Sequence, residues 1–221
     1  DGGTQVTTPF PFYVHAFQTF MCGGSLITPD MVLSAAHCFP GYNMTQVAVN
    51  ATRFFNNVPK YRVAEVFPHP DYNKPRRREE NDIMLVRLER QVPNAELLRL
   101  NFDADLNLTD AIGTTMGFGQ ISDPGPTSDK LLQVDVPVVD EDVCRERWQR
   151  RGVPSPFHLC AGAEGKDTCG GDSGGPLLLD TAPRDQESIP VFPSTPSGFK
   201  RQCAKIRNQH FQSIALRNLP V

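Results

Sequence analysis

The ten residues from Asp167 to Pro176 read Asp-Thr-Cys-Gly-Gly-Asp-Ser-Gly-Gly-Pro and set glycines on both sides of Ser173. Glycine enters backbone conformations closed to residues with a Cβ, so this run permits a tight turn that leaves the serine hydroxyl accessible. On such a turn the N–H groups of Gly171 and Ser173 can converge on one point, which is what a developing oxyanion in acyl transfer requires. A serine hydroxyl is a weak nucleophile at neutral pH. It needs a base within hydrogen-bond reach and a third group to hold that base in the right tautomer. His37 lies among small residues in Ser34-Ala-Ala-His-Cys38, where tight packing is possible and a cysteine can anchor the loop. Asp82, in Asn81-Asp-Ile-Met-Leu85, puts a carboxylate at the mouth of an apolar strand, where charge is costly unless paired. Each motif alone has a plainer reading: an incidental serine in a glycine turn, a packed histidine, an Asn-Asp turn before a strand. Their joint presence favours nucleophilic catalysis with Ser173 attacking, His37 as base and Asp82 orienting it.

These three residues lie far apart in sequence, so a scaffold of many short elements must bring them together. Apolar or alternating runs punctuated by turn residues occur at 12–17, 24–27, 46–49, 61–67, 83–88, 114–117, 132–139 and 176–179. That spacing predicts an all-β sandwich or barrel. One helix is predicted over 140–150, where Asp140 can cap, acidic residues fill the first turn and arginines the last. The chain has 221 residues, a length common for one body made of two packed β-barrels. From about residue 180 onward the prolines at 183, 190, 193 and 196 stand in a polar stretch without strand alternation. The chain therefore divides into an enzyme-like part, 1–180, and an atypical proline-rich part, 181–221, expected to be poorly ordered.

A net charge of −3 offers no basic excess for a phosphate backbone, and no glycine-rich phosphate loop opens a helix, so neither nucleic acid nor a nucleotide is expected as partner. No apolar run approaches the roughly 20 residues that cross a bilayer. The run Arg76-Arg-Arg-Glu-Glu80 reads as a solvated loop, because neighbouring opposite charges largely cancel. Residues 1–6 lack the basic start and apolar stretch of a signal peptide, so any secretory leader is expected to have been removed already. The 6 cysteines form an even set, and Asn43, Asn50 and Asn107 each begin an Asn-x-Thr acceptor for glycans. Together they point to an extracellular protein. His37, Cys38, His158 and Cys160 show none of the paired spacings of structural zinc sites, so no metal and no cofactor are expected.

With these residues in view, the chain resembles the trypsin and chymotrypsin family of serine proteases. The resemblance rests on Cys22-Gly-Gly-Ser-Leu-Ile27, Leu33-Ser-Ala-Ala-His-Cys38, His69-Pro-Asp-Tyr72, Asn81-Asp-Ile-Met-Leu85 and Asp167 through Pro176, in the order His, Asp, Ser, and covers about residues 1–180. It implies two packed six-stranded antiparallel Greek-key barrels with the active site between them, the second barrel incomplete or atypical after about residue 180. It implies a secreted, monomeric endopeptidase acting on proteins or peptides and open to protein inhibitors. Asp167, six residues before the nucleophile, would floor the specificity pocket and favour Arg or Lys before the cleaved bond. The implied disulfides are Cys22–Cys38, Cys144–Cys160 and Cys169–Cys203.

The same resemblance assigns Asp172 to a pocket that receives the ammonium of a freshly cut Ile or Val terminus, whereas this chain starts Asp1-Gly2-Gly3. After Leu179 the family's Ser-Trp-Gly strand and closing helix have no counterpart, and Phe118 replaces the usual Trp of Gly-Trp-Gly. Two further readings stay open beside the protease: a protease-like scaffold that binds or inhibits another protein without catalysis, and a copy of an active enzyme whose last part comes from a wrong segment.

Overall fold

The computed structural model describes residues 2–7, 10, 12–17, 21–39, 44–54, 58–72, 81–100, 108–122, 124–148, 158–179, 187–189, 191–193 and 209–213. Its elements run β1 (Thr4–Gln5), β2 (Tyr13–Phe17), β3 (Cys22–Thr28), β4 (Met31–Ser34), β5 (Gln46–Val49), β6 (Lys60–Pro68), β7 (Met84–Leu88), β8 (Arg99–Leu100), β9 (Ile112–Gly117), β10 (Leu132–Val139), α1 (Glu141–Trp148), β11 (His158–Ala161), β12 (Leu177–Leu179), β13 (Glu187–Ile189), β14 (Val191–Pro193) and β15 (Gln209–Ser213). The expected all-β character holds, and each of the eight apolar runs became a strand.

Strands β2, β3, β4, β7, β6 and β5 close, in that order, into a barrel. All six pairings are antiparallel. Along β7 the buried residues Met84, Val86 and Leu88 alternate with half-buried Leu85 and exposed Arg87. Period two places one set inside a barrel and leaves the other at its surface. The core so formed includes Leu26, Leu33, Val47, Met84 and Val86. Strand β4 was not foreseen, because a buried run of four residues between a turn and a loop shows no alternation.

The second half is a nine-stranded sheet ordered β14-β15-β11-β10-β9-β12-β13-β8, with β1 added on β10. Among the described residues it does not close, in keeping with an atypical second barrel. Of the residues after 180, three short runs are described, each as a strand. Residues 187–189 pair with β12, 191–193 with β15, and 209–213 with β11. These short strands lie outside the apolar runs of the sequence, and what defines them is the partner edge they extend.

Backbone hydrogen bonds lash the two halves together. Leu131 N–H donates to Thr52 C=O at 2.9 Å and Phe54 N–H to Asp129 C=O at 2.9 Å. At the front of α1, Asp140 Oδ1 accepts from the N–H groups of Asp142 and Val143 at 3.0 and 3.2 Å, satisfying donors that the first helical turn leaves open. The helix buries Cys144, which is joined by a disulfide to Cys160 on β11. Replacing Asp140 by Ala is expected to cost about 1 kcal/mol of stability, the usual loss of an N-cap, measured as a lowered urea midpoint with unchanged slope.

Candidate active site

Beyond β4 the chain passes through buried Ala35 and Ala36 into a single 3-10 turn, Ala36–Cys38. The absence of bulk there lets the turn settle against the start of β7. Asp82 holds it from both sides: Oδ1 accepts the His37 N–H at 2.7 Å, and Oδ2 lies 2.6 Å from His37 Nδ1. The Asp82 side chain is 4% exposed and that of His37 is 23% exposed. A buried carboxylate facing Nδ1 places the imidazole proton there and leaves Nε2 on the open side of the ring. Burial and the charge of Asp82 push the neighbouring Tyr72 phenol up to about 12.

The Cys22–Cys38 disulfide ties the His37 turn to β3. Its Cys38 Sγ lies 3.9 Å from His37 Nε2 and 3.8 Å from the carbonyl oxygen of Ser173, so one sulfur touches both the histidine and the serine residue. Cys22, Cys38 and His37 gather their ligand atoms within 4.8 Å. With the two sulfurs bonded to each other, neither is the thiolate a metal would need.

Ser173 sits on the predicted glycine turn. Gly23 on β3 donates its N–H to Ser173 C=O at 2.7 Å, while Asp172 N–H bonds to Cys169 C=O and Gly175 N–H to Asp172 C=O. Gly171 and Gly174 have φ of 109° and 82°, conformations that residues with a Cβ rarely adopt. At Gly174 a Cβ would also fall 2.4 Å from Ser34 Oγ and 2.6 Å from Gly23 C=O. The serine turn is therefore docked directly on the first barrel.

Asp172 points away from the serine into the second half. Its Oδ1 accepts from Gly119 N–H at 2.8 Å and its Oδ2 from Cys169 N–H at 2.9 Å. Burial raises its pKa, and the two N–H bonds pull the other way. The glycines around Phe118 make the space: a Cβ would meet Asp172 Oδ1 at 2.0 Å from Gly117 and at 2.5 Å from Gly119. Tyr13 lies beside this group with its hydroxyl buried and without a hydrogen-bond partner among the described residues. Burial and the nearby charge of Asp172 drive its ionisation upward.

Asp167 is 7% exposed. Its Oδ1 accepts the Thr168 N–H at 2.8 Å. It opens on a cavity that it shares with Asp172, Thr115, Gly117 and Gln120. Burial lifts the Asp167 carboxyl to about 7; the Thr168 hydrogen bond opposes the rise and the charge of Asp172 adds to it.

Of the remaining expectations, both Cys22–Cys38 and Cys144–Cys160 are formed. Cys169 is also disulfide-bonded, while Cys203 lies outside the described residues. Asn50 is exposed on a left-handed turn after β5, with φ 62°. Asn43, Asn107 and the arginines at 76–78 lie outside the described residues. Sequence reasoning missed Gly23, Gly117, Gly119 and Tyr13 as supports of the serine turn. The one available signal was a large aromatic residue, Phe118, flanked by glycines.

The sequence model of the Trypsin family matches residues 2–189. This chain belongs to the trypsin family. It is 35% identical over 166 residues to trypsin eta of Drosophila melanogaster, covering 72% of this chain and 62% of that protein. It is 32% identical over 168 residues to a trypsin of Simulium vittatum, covering 72% of this chain and 66% of the relative. The alignment thus spans just under two thirds of each relative's length.

Two outcomes follow for this trypsin-family chain. In Gly119→Ala the new Cβ collides with the Asp172 carboxylate and displaces the Ser173 turn. Since a misplacement of about 1 Å can cost on the order of a hundredfold in rate, any peptide hydrolysis at Ser173 is expected to slow by about that factor, read as kcat/KM. For Asp167, the unfolded chain gives up the proton near pH 4 and the folded chain near 7, so the folded state holds more protons between them. Stability therefore falls as pH rises through that window, by about 4 kcal/mol in all. Urea unfolding of the Ser173→Ala protein at pH 5 and pH 8 should show about 3 kcal/mol of this loss, and adding Asp167→Asn should remove most of it.

Proposed function

We propose that this chain is a secreted serine endopeptidase that cuts after Arg or Lys through Ser173, His37 and Asp82. The observation that carries the reading is the 2.6 Å contact between His37 Nδ1 and Asp82 Oδ2, beside a disulfide sulfur that also touches Ser173. In the proposed reaction Ser173 Oγ attacks the scissile carbonyl carbon while His37 Nε2 takes its proton. Asp82 keeps the imidazole in the required tautomer and steadies its protonated form. The carbonyl oxygen becomes an oxyanion facing the N–H groups of Gly171 and Ser173. Collapse breaks the C–N bond, and His37 returns the proton to the departing amine. Water then enters with His37 again as base, the ester to Ser173 breaks, and the free enzyme is restored. No cofactor is needed at any step.

Asp167 gives the pocket its preference, since a guanidinium or ammonium entering beside a buried carboxylate recovers in pairing what it loses in hydration. Asp172 is proposed as the carboxylate that takes the ammonium of a newly cut terminus, using the oxygens that Gly119 and Cys169 already orient. The disulfides and the exposed Asn50 acceptor support a secretory setting. The enzyme is proposed to act as a monomer on protein or peptide substrates and to be subject to protein inhibitors.

Correctly processed protein should hydrolyse a fluorogenic peptide with Arg before the scissile bond, and one with Phe at least a hundredfold more slowly. Ser173→Ala should abolish turnover of both. Equal turnover of the two peptides would remove the role given to Asp167, and no turnover of either would favour a binding scaffold.

A further inference from the structure

One buried titratable side chain near the site has no part in the mechanism above. His15 on β2 is 1% exposed. Its ring lies 4.8 Å from Phe54 and 4.9 Å from Phe118, and those two rings are 6.0 Å apart, so the three form one cluster across the seam between the halves. Phe118 stands between the two glycines that make room for Asp172, and Gly119 donates to that carboxylate. Through the backbone, His15 faces Gly23 across the β2–β3 pairing, and Gly23 N–H holds the carbonyl of Ser173. His15 therefore backs both anchors of the serine turn: the strand that binds Ser173 and the loop that binds Asp172.

We propose that His15 is a positioning residue for the Ser173 turn that works only while uncharged, so that acid loosens the turn by expelling the imidazole from between Phe54 and Phe118. The proposal rests on Ser173 being the nucleophile. The titratable or charged groups on the elements packed against His15 are Tyr13 on its own strand, Arg53 beside Phe54 and Asp172 behind Phe118; β3 and β5 bring none. Asp172 is engaged by two backbone N–H groups, and Arg53 is exposed. Burial lowers the His15 pKa from 6.5 to about 4. A histidine of this kind stabilises the closed arrangement fully above pH 6.5 and loses that contribution as pH falls towards 4. At pH 5 the open arrangement is favoured about thirtyfold more than at pH 8.

The test is the rate at which a fluorophosphonate labels Ser173, read by mass spectrometry. Proton transfer to water is far faster than a rearrangement of packed side chains, so any delay in labelling after a jump from pH 5 to pH 8 reports the slower return of the turn. Wild type is expected to show such a lag after acid exposure. His15→Leu, uncharged and of similar volume, is expected to label at near the wild-type rate at pH 8 without a lag. His15→Ala, which empties the space between the rings, is expected to label about tenfold more slowly, as a small misplacement of the reacting group would produce. The leucine variant remains informative if the alanine variant does not fold. A lag in His15→Leu equal to wild type, no lag in wild type, or wild-type labelling by His15→Ala overturns the proposal. Failure to label Ser173 in wild type at pH 8 is a different result, which overturns the catalytic reading itself.

Discussion

A carboxylate removed from water must be compensated by hydrogen bonds, and at Asp82 that requirement organises the first half of the molecule. Asp82 is 3% exposed and uses one oxygen on the His37 backbone and the other on its ring. Neither contact can form until β4 and β7 lie side by side and the Ala36–Cys38 turn closes on the end of β7. The barrel, the disulfide that joins that turn to β3, and the orientation of the imidazole are thus satisfied together.

The second half meets the same requirement at Asp172. Its two oxygens take N–H groups from Gly119 and Cys169, and Asp172 is followed at once by Ser173. Close approach of backbone to carboxylate explains the glycines at 117 and 119, just as close approach of the turn to Ser34 and Gly23 explains Gly174. The serine turn is held by the first barrel through the Ser173 carbonyl and by the second half through the Asp172 side chain. A residue so placed at the seam responds to the packing of both halves, which gives buried side chains such as His15 a route to the site.

The cavity lined by Asp167 and Asp172 brings together two carboxyls that the sequence presents as separate residues. The charge of Asp172 adds to the proton affinity that burial gives Asp167, and a cation entering the cavity opposes that rise. The charge state of the cavity and the setting of the serine turn are in that sense electrostatically linked.

Local features were legible in the sequence because they depend on neighbours a few residues away. The alternation in β7, the glycine turn around Ser173 and the Asp140 cap all follow from short-range stereochemistry, and Ser173, His37 and Asp82 stood out by their joint occurrence. The short strands β4, β11 and β13–β15 were not legible, because they show no apolar alternation of their own and take their form from the edge they join. The sequence by itself determined the chemistry available: a nucleophile, a base, a carboxylate and the glycines that free the backbone. Only the tertiary structure decided that Asp82 meets His37 from 45 residues away, that Gly119 holds Asp172, and that His15 packs on the Phe118 between the two glycines. Contacts of that kind are set by which packed surfaces the barrel brings together, and no local pattern encodes them.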